Sequence, residues 1–375
     1  MNITFICGTL AIGKSGVGDY TRKLAAELIQ QGHQASVIAV RDFSATTILE
    51  EWQTDQNIKV PVLRFPMGTG FNVQAKRIQQ FLDQQSTTWL SLQYVPFSFH
   101  KRGLHWTWNA FFEKIGEDKH WHLMFHELWL GLNKGASIKE VCWGEAQRQG
   151  ALNLIKKLKP ACVHTHANVY QAVLSHNGIA AQQLPLFSNI DPNLGTTQLE
   201  RTPHLIHFAI FGAIHPTTKQ KPFLDELEFE NQQSNRNAHI IFLGRNGALK
   251  KQWIQAITQT KTISFEDLGE LDAKAIAYHL SNANIGLSFT PLPLTEKSGT
   301  IACYWASDLA VLTLADDWST RKKIELTFPE GVVPYKTGHL QHFLETYSSL
   351  TITYKSPAEI ATQFVSQAAE SVCNL

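Results

Sequence analysis

No block of Lys or Arg interrupts this 375-residue sequence, and its 33 basic and 32 acidic residues leave a net charge of only +1. Binding a phosphate backbone needs a concentrated basic face, so a nucleic-acid partner is disfavoured. Cysteine is sparse and scattered. Cys7, Cys142, Cys162, Cys303 and Cys373 include no close pair, which argues against a disulfide framework or a zinc knuckle. Cys7 and Cys162 lie in apolar, strand-like runs and read as buried core thiols. No apolar run is long enough to span a membrane, and the start of the chain lacks the charge and long apolar stretch of a signal peptide. The expectation is a soluble, cytoplasmic chain. No internal repeat or low-complexity segment is evident.

What is present is alternation. Short apolar runs bounded by turn residues recur, with helical periodicity between them. Strands are expected at Ile3–Cys7, Ala35–Val40, Val60–Arg64, Trp89–Gln93, His122–Phe125, Cys162–His164 and Leu184–Phe187. Tyr20, Leu24 and Leu28 fall on one face of a helix. The pattern lapses between Pro192 and His204, read as a linker, and then restarts with strands at Leu205–Phe211, His239–Leu243, Ile263–Phe265, Ile285–Phe289 and Leu309–Thr313. The length exceeds one ordinary core, and two successive βα sets imply two Rossmann-like domains with a cleft between them. The expected bounds are 1–192 and 203–356, with a last helix over 357–375 returning to the first domain.

Several loops are suited to an anion. Lys297-Ser298-Gly299-Thr300 opens an apolar helix after a Pro-rich loop, where free backbone N–H groups, the helix dipole and side-chain donors coincide. An ordinary helix cap at Ser298 or Thr300 is the plainer reading. After the first strand, Gly16 and Gly18 allow close backbone approach, but the segment matches neither G-x-G-x-x-G nor the P-loop, since Lys14 precedes the glycines. The strand ending at Phe211 runs into Gly212, with Lys219 and Lys221 downstream, and Arg245 follows Leu243-Gly244. Ligands of open α/β sheets bind at that edge.

Together these loops resemble a GT-B glycosyltransferase of the retaining, nucleotide-sugar-dependent family 4, over nearly the whole chain. Ser15-Gly16-Val17-Gly18 with its helix and Gly32-His33 is similar to that family's N-terminal loop, and Leu205–Phe211 with Gly212 to the first donor-domain strand. The resemblance implies transfer of a sugar, of hexosyltransferase type, from a UDP- or GDP-type donor to a hydroxyl acceptor that is a glycan, a lipid-linked acceptor or a small molecule. It implies retention of configuration and needs no cofactor or metal. Glu296 would hold donor hydroxyls and His126 would contact the donor sugar. Gly16, Gly18, Gly212, Lys219, Lys221, Arg245, Lys297, Ser298, Gly299 and Thr300 would receive the nucleotide diphosphate. Two departures stand out. The family's second glutamate falls at position 304, which is Tyr, and its Arg after the donor-domain Gly is replaced by Ala213-Ile214-His215.

Tyr94, Lys101 and Arg102 lie in an aromatic, basic segment that reads as packing of an irregular stretch, as acceptor contact, or as peripheral contact with the inner face of a membrane. His126 and Glu127 also admit a structural role, and His164-Thr165-His166 lacks the companions of a metal site. The rival functions are a nucleotide-sugar epimerase and a non-catalytic GT-B partner of another transferase. An NAD-dependent dehydrogenase ranks last because the glycine spacing is wrong. Oligomeric state is not legible.

Overall fold

The computed structural model describes residues 1–195 and 204–373. The chain forms two compact units, the first from Met1–Pro185, Thr320–Ile324 and Pro357–Leu375, the second from Leu186–Ser319 and Glu325–Ser356. Most of the expected linker, 196–203, lies outside the described residues, as do 374 and 375.

The first unit is built from β1 (Asn2–Cys7), α1 (Gly16–Gln30), β2 (Gln34–Asp42), β3 (Leu49–Asp55), β4 (Ile58–Pro66), α2 (Phe71–Gln84), β5 (Trp89–Tyr94), α3 (Pro96–Phe99), α4 (Trp106–Ile115), β6 (His120–Phe125), α5 (Ile138–Leu158), β7 (Cys162–Thr165), α6 (Asn168–His176) and β8 (Gln182–Gln183). Its sheet has the order β3-β4-β2-β1-β5-β6-β7-β8. All pairs are parallel except β3–β4, an antiparallel edge hairpin whose turn places Gln56 and Asn57 at positive φ, the geometry of a tight hairpin turn. The central strands are buried on both faces, which is why they read as continuous apolar runs. Tyr20, Leu24 and Leu28 of α1 are buried together as their spacing requires.

One strand expectation is corrected. Leu184 and Phe187 are buried and Pro185 and Leu186 half-buried, but the run lies in no regular element, and the two-residue β8 precedes it. Leu184 N–H still donates to Thr165 O at 2.9 Å, but Pro185 has no N–H to extend the ladder, so the pairing ends there.

The second unit contains β9 (Leu205–Phe211), α7 (Gln220–Ser234), β10 (Asn237–Leu243), α8 (Lys250–Ile257), β11 (Ile263–Gly269), α9 (Ala273–Ser281), β12 (Ile285–Ser288), α10 (Gly299–Ala306), β13 (Ala310–Thr313), β14 (Val332–Pro334) and α11 (Leu340–Thr346). Its order is β11-β10-β9-β12-β13-β14, parallel throughout. One face is sealed by Phe208, Phe223, Trp253 and Phe343, the other by Ile276, Leu280, Ile301 and Tyr304.

The last helix, α12 (Pro357–Cys373), belongs to the first unit. It buries Ile360, Ala361, Phe364 and Ala368, sets Phe364 6.1 Å from the Phe5 ring, and accepts at Ala358 O a hydrogen bond from the Gln31 amide, 2.8 Å.

Candidate functional site

The strand order of the second unit runs outward in both directions from β9 and β12, so their carboxyl ends open a crevice between the loops that follow them. Gly212 sits there at φ +82°, and a Cβ on it would stand 2.5 Å from Thr300 Oγ1. Any side chain at this position is excluded twice, by backbone conformation and by Thr300. Thr300 is in the first turn of α10, which Ser298 caps by accepting from Ile301 N–H at 3.4 Å, and the Thr290 hydroxyl donates to the same Ser298 oxygen. Gly299 is exposed. The structure therefore gathers Gly212, Ser298, Gly299 and Thr300 at one helix N-terminus on the sheet's carboxyl edge.

Asn246 holds this junction, and nothing in its local sequence announced it. It adopts the left-handed conformation, φ 55°. Its buried side-chain amide donates to Gly212 O (2.8 Å) and Leu243 O (3.0 Å), with a longer contact to Ile210 O (3.3 Å), while its backbone carbonyl accepts from Ile214 N–H.

Tyr304, where the resemblance looks for a glutamate, is fully buried. Its hydroxyl accepts from Phe211 N–H (2.7 Å) and faces Ala209 O and Leu287 O at 2.9 and 3.0 Å. A Cβ on Gly286 would stand 2.6 Å from its ring. The residue is a strut joining α10 to β9 and β12, with no surface left for a ribose.

The expected cations are dispersed. Lys219 lines a cavity of about 340 Å³ with Asp316, Trp318 and Tyr335 at the ends of β13 and β14, and its ammonium is 3.1 Å from Asp317. Lys221 is 84% exposed and paired with Asp225 on its own helix. Arg245 projects outward to Glu270, 3.1 Å. Glu296 and Lys297 are half-buried on the 3-10 segment Leu292–Lys297 that leads into Ser298.

In the first unit the loop after β1 is held by a buried carboxylate. Asp42, at the end of β2, accepts from Thr9 Oγ1 (2.9 Å), Leu10 N–H (3.0 Å), Ser44 and the Arg64 guanidinium (2.9 Å). Burial alone would raise its pKa, but Arg64, Ser44 and the Leu10 amide outweigh it and hold the carboxyl well below the usual range. Gly16 opens α1 and is exposed. Gly18 differs from expectation: its N–H is taken by the Ser15 cap (3.1 Å), and a Cβ on it would stand 2.4 Å from Thr9 O, so its role is close packing of the loop.

Two more expectations are revised here. Tyr94 is 1% exposed and its hydroxyl is 2.6 Å from His105 Nε2, so its ring offers no face for an acceptor. His126 is buried with both ring nitrogens engaged, Nε2 by Gln93 Oε1 (2.8 Å) and Nδ1 by His166 Nε2 (3.1 Å); a ligand would have to displace one of them. Lys101 is exposed, and Arg102 lies 5.7 Å above the Trp143 ring. A larger cavity, about 670 Å³, is bordered by Trp129, Arg148, His176, Arg321 and Lys322. Cys7 and Cys162 are buried. Among the described residues no group of three His, Cys, Asp or Glu is placed to hold a metal, and no helix is long and apolar enough to cross a membrane.

Two parallel-sheet Rossmann-like units, one with an antiparallel edge, define the GT-B fold, and comparison with solved structures bears this out. The catalytic domain of Starch Synthase IV from Arabidopsis thaliana, bound to ADP and acarbose, is similar with TM-score 0.59 and 12% identity, covering 100% of this chain and 99% of that one. UDP-GlcNAc 2-epimerase from Methanocaldococcus jannaschii is similar with TM-score 0.58 and 10% identity, covering 99% and 100%. A glycosyltransferase from Rickettsia africae gives 0.54 and 12%, covering 99% and 93%. No protein-family model and no curated protein matches the chain.

Proposed function

We propose that the protein is a glycosyltransferase that moves a sugar from a nucleotide-diphosphate donor to a hydroxyl acceptor with retention of configuration. The observation that carries this reading is the Gly212–Thr300 junction at the β9/β12 switch point, where a glycine loop meets a capped helix N-terminus. The second unit binds the diphosphate there. Ser298, Gly299 and Thr300 supply donors, and Lys297, next to the cap, supplies charge, which stabilises the leaving group electrostatically. The leaving phosphate takes the acceptor proton within one face, so no separate nucleophile is needed.

The acceptor lies on the first unit. Ile12, Phe43, Met67, Phe71, Phe97 and Trp106 are all substantially exposed in the segments that follow β1, β2, β4 and β5. An apolar rim of this kind, with Lys101 and Arg102 beside Phe97, suits a lipid-linked acceptor at a membrane surface.

A thermal-shift panel of UDP, GDP, ADP, CMP and their sugar conjugates tests the reading. A ligand at 100 times its Kd adds about 2.7 kcal/mol of stability. Stabilisation by one diphosphate, lost in Gly212→Val and weakened in Lys297→Ala, supports the transferase and names the base. No response to any of them favours a non-catalytic partner of another transferase. The full-length likeness to an epimerase supports one second reading, release or rearrangement of the donor sugar with no acceptor present, which product analysis separates from transfer.

A further inference from the structure

A line of buried polar side chains crosses the first unit, and the proposed transfer does not use it. It starts at the backbone carbonyl of Leu184, which only accepts, with His166 Nδ1 at 2.8 Å. His166 Nε2 meets His126 Nδ1 at 3.1 Å, and His126 Nε2 meets Gln93 Oε1 at 2.8 Å. The Gln93 amide nitrogen is 2.7 Å from Ser91 Oγ, which is 2.7 Å from His122 Nδ1. His122 Nε2 is 3.0 Å from His164 Nδ1, and His164 Nε2 is 3.5 Å from Cys162 Sγ. All seven side chains are buried. The line runs from the end of β6 across the sheet to the face under α12. There Phe364 packs 4.8 Å from the His122 ring, Gln367 and Gln182 reach His164, and Ser371 reaches Cys162. From α1, the Tyr20 ring stands edge-on to both His126 and His166.

The polarity of each link follows from its neighbour, because a neutral imidazole has one donor and one acceptor. Leu184 O obliges His166 to carry its hydrogen on Nδ1. His166 Nε2 then accepts, so His126 donates from Nδ1. With the Gln93 oxygen on the His126 side, His126 donates from Nε2 as well, which is the imidazolium. Ser91 then donates to His122, His122 donates from Nε2 to His164, and His164 from Nε2 to Cys162. With the Gln93 amide turned, His126 is neutral and accepts from it. Ser91 then donates to Gln93, and His122 and His164 carry their hydrogens on Nδ1. Each of these two keeps one hydrogen in both states, on the opposite nitrogen.

We infer that His166 and Gln93 are positioning residues for His126. His166 fixes the hydrogen on His126 Nδ1, and Gln93 is a two-position coupler that links protonation of His126 to reversal of every bond from Ser91 to Cys162. The charge of a ring at the sheet's carboxyl edge is thereby transmitted to the side chains beneath α12.

The test is a side-chain ¹⁵N–¹H correlation titration of the full chain labelled at histidine, from pH 8 to pH 5. The expected result at pH 8 is all four rings carrying hydrogen on Nδ1. As His126 gains its second proton, His122 and His164 move to Nε2 with the same midpoint. Gln93→Glu separates the two events, since a carboxylate accepts from His126 and Ser91 at once. In that variant His126 stays doubly protonated at least one pH unit higher while His122 and His164 remain on Nδ1. The inference is overturned if His126 takes no proton down to pH 5, if any ring carries Nε2–H at pH 8, or if His122 and His164 hold one tautomer throughout the wild-type titration. The wild-type spectra decide the matter even where the variant does not fold.

Discussion

The two units solve one problem with different chemistry. Each is a Rossmann-like sheet whose first strand ends in a loop that must be fixed at the carboxyl edge, and in each a residue at the end of the adjacent strand fixes it. In the first unit that residue is Asp42, ionised, buried and matched by Arg64. In the second it is Asn246, a neutral amide aimed at the backbone carbonyls around Gly212. A charged clamp is stronger when intact and fails with pH. An amide clamp has no titration and leaves the junction uncharged, as suits a loop expected to receive a diphosphate.

Breaking the clamps should give the largest effects. Asp42→Ala leaves the Arg64 guanidinium, only 11% exposed, without its buried partner, and should destabilise the first unit by about 3–5 kcal/mol. Asn246→Ala strands buried carbonyls and should cost the second unit about 2 kcal/mol. Hydrogen exchange resolved by unit during urea unfolding measures both, and an Asn246 cost equal to that of Asp42 would remove the distinction.

Acid provides the next comparison. Burial pulls the His164 pKa down to about 4, opposed by hydrogen bonds that the ring makes to Gln182 and Gln367, and burial with repulsion from His164 and His126 holds His122 well below the usual histidine range. The unfolded chain takes up these protons near pH 6.5 and the folded one does not, so stability falls as pH drops from about 6.5 to 4. His164 alone contributes about 3 kcal/mol to that loss. Asp42 adds to it below about pH 4, because its folded pKa is depressed and its contribution exists only while it is ionised. The first unit should therefore open at higher pH than the second, and simultaneous opening in pH-resolved hydrogen exchange would refute this.

Smaller effects sharpen the picture of the second unit. Tyr304→Phe removes a hydroxyl that satisfies Phe211 N–H and faces two carbonyls, and should cost about 1–2 kcal/mol in chemical denaturation. Lys221→Ala removes an exposed i,i+4 pair and should shift stability by less than about 0.5 kcal/mol, with no effect on nucleotide binding in the thermal-shift panel.

Much of this architecture was legible because it is local. Leu205–Phe211 reads as a buried parallel strand from its apolar run, and Ser298 reads as a cap from its place before Gly299 and the apolar helix. The hairpin strand Leu49–Asp55 did not, because an edge strand with one solvated face carries Glu50, Glu51 and Asp55 in place of an apolar run. The lysines and arginine misled for a related reason: sequence places Lys221 and Arg245 near strand ends but is silent on Asp225 and Glu270, which hold them outward.

The sequence by itself determined the alternation of strands and helices, the division into two sheets and the glycine at position 212, since burial periodicity and backbone conformation are properties of a residue and its near neighbours. Only the tertiary structure decided that Asp42 would meet Arg64, that Asn246 and Tyr304 would close the crevice at β9, and that histidines from β6 and β7 would join through Gln93 and Ser91 of β5 into one line. Those partners lie up to 95 residues apart along the chain. They come together through strand order and register, which set the neighbours of each side chain and which no local stretch of sequence encodes.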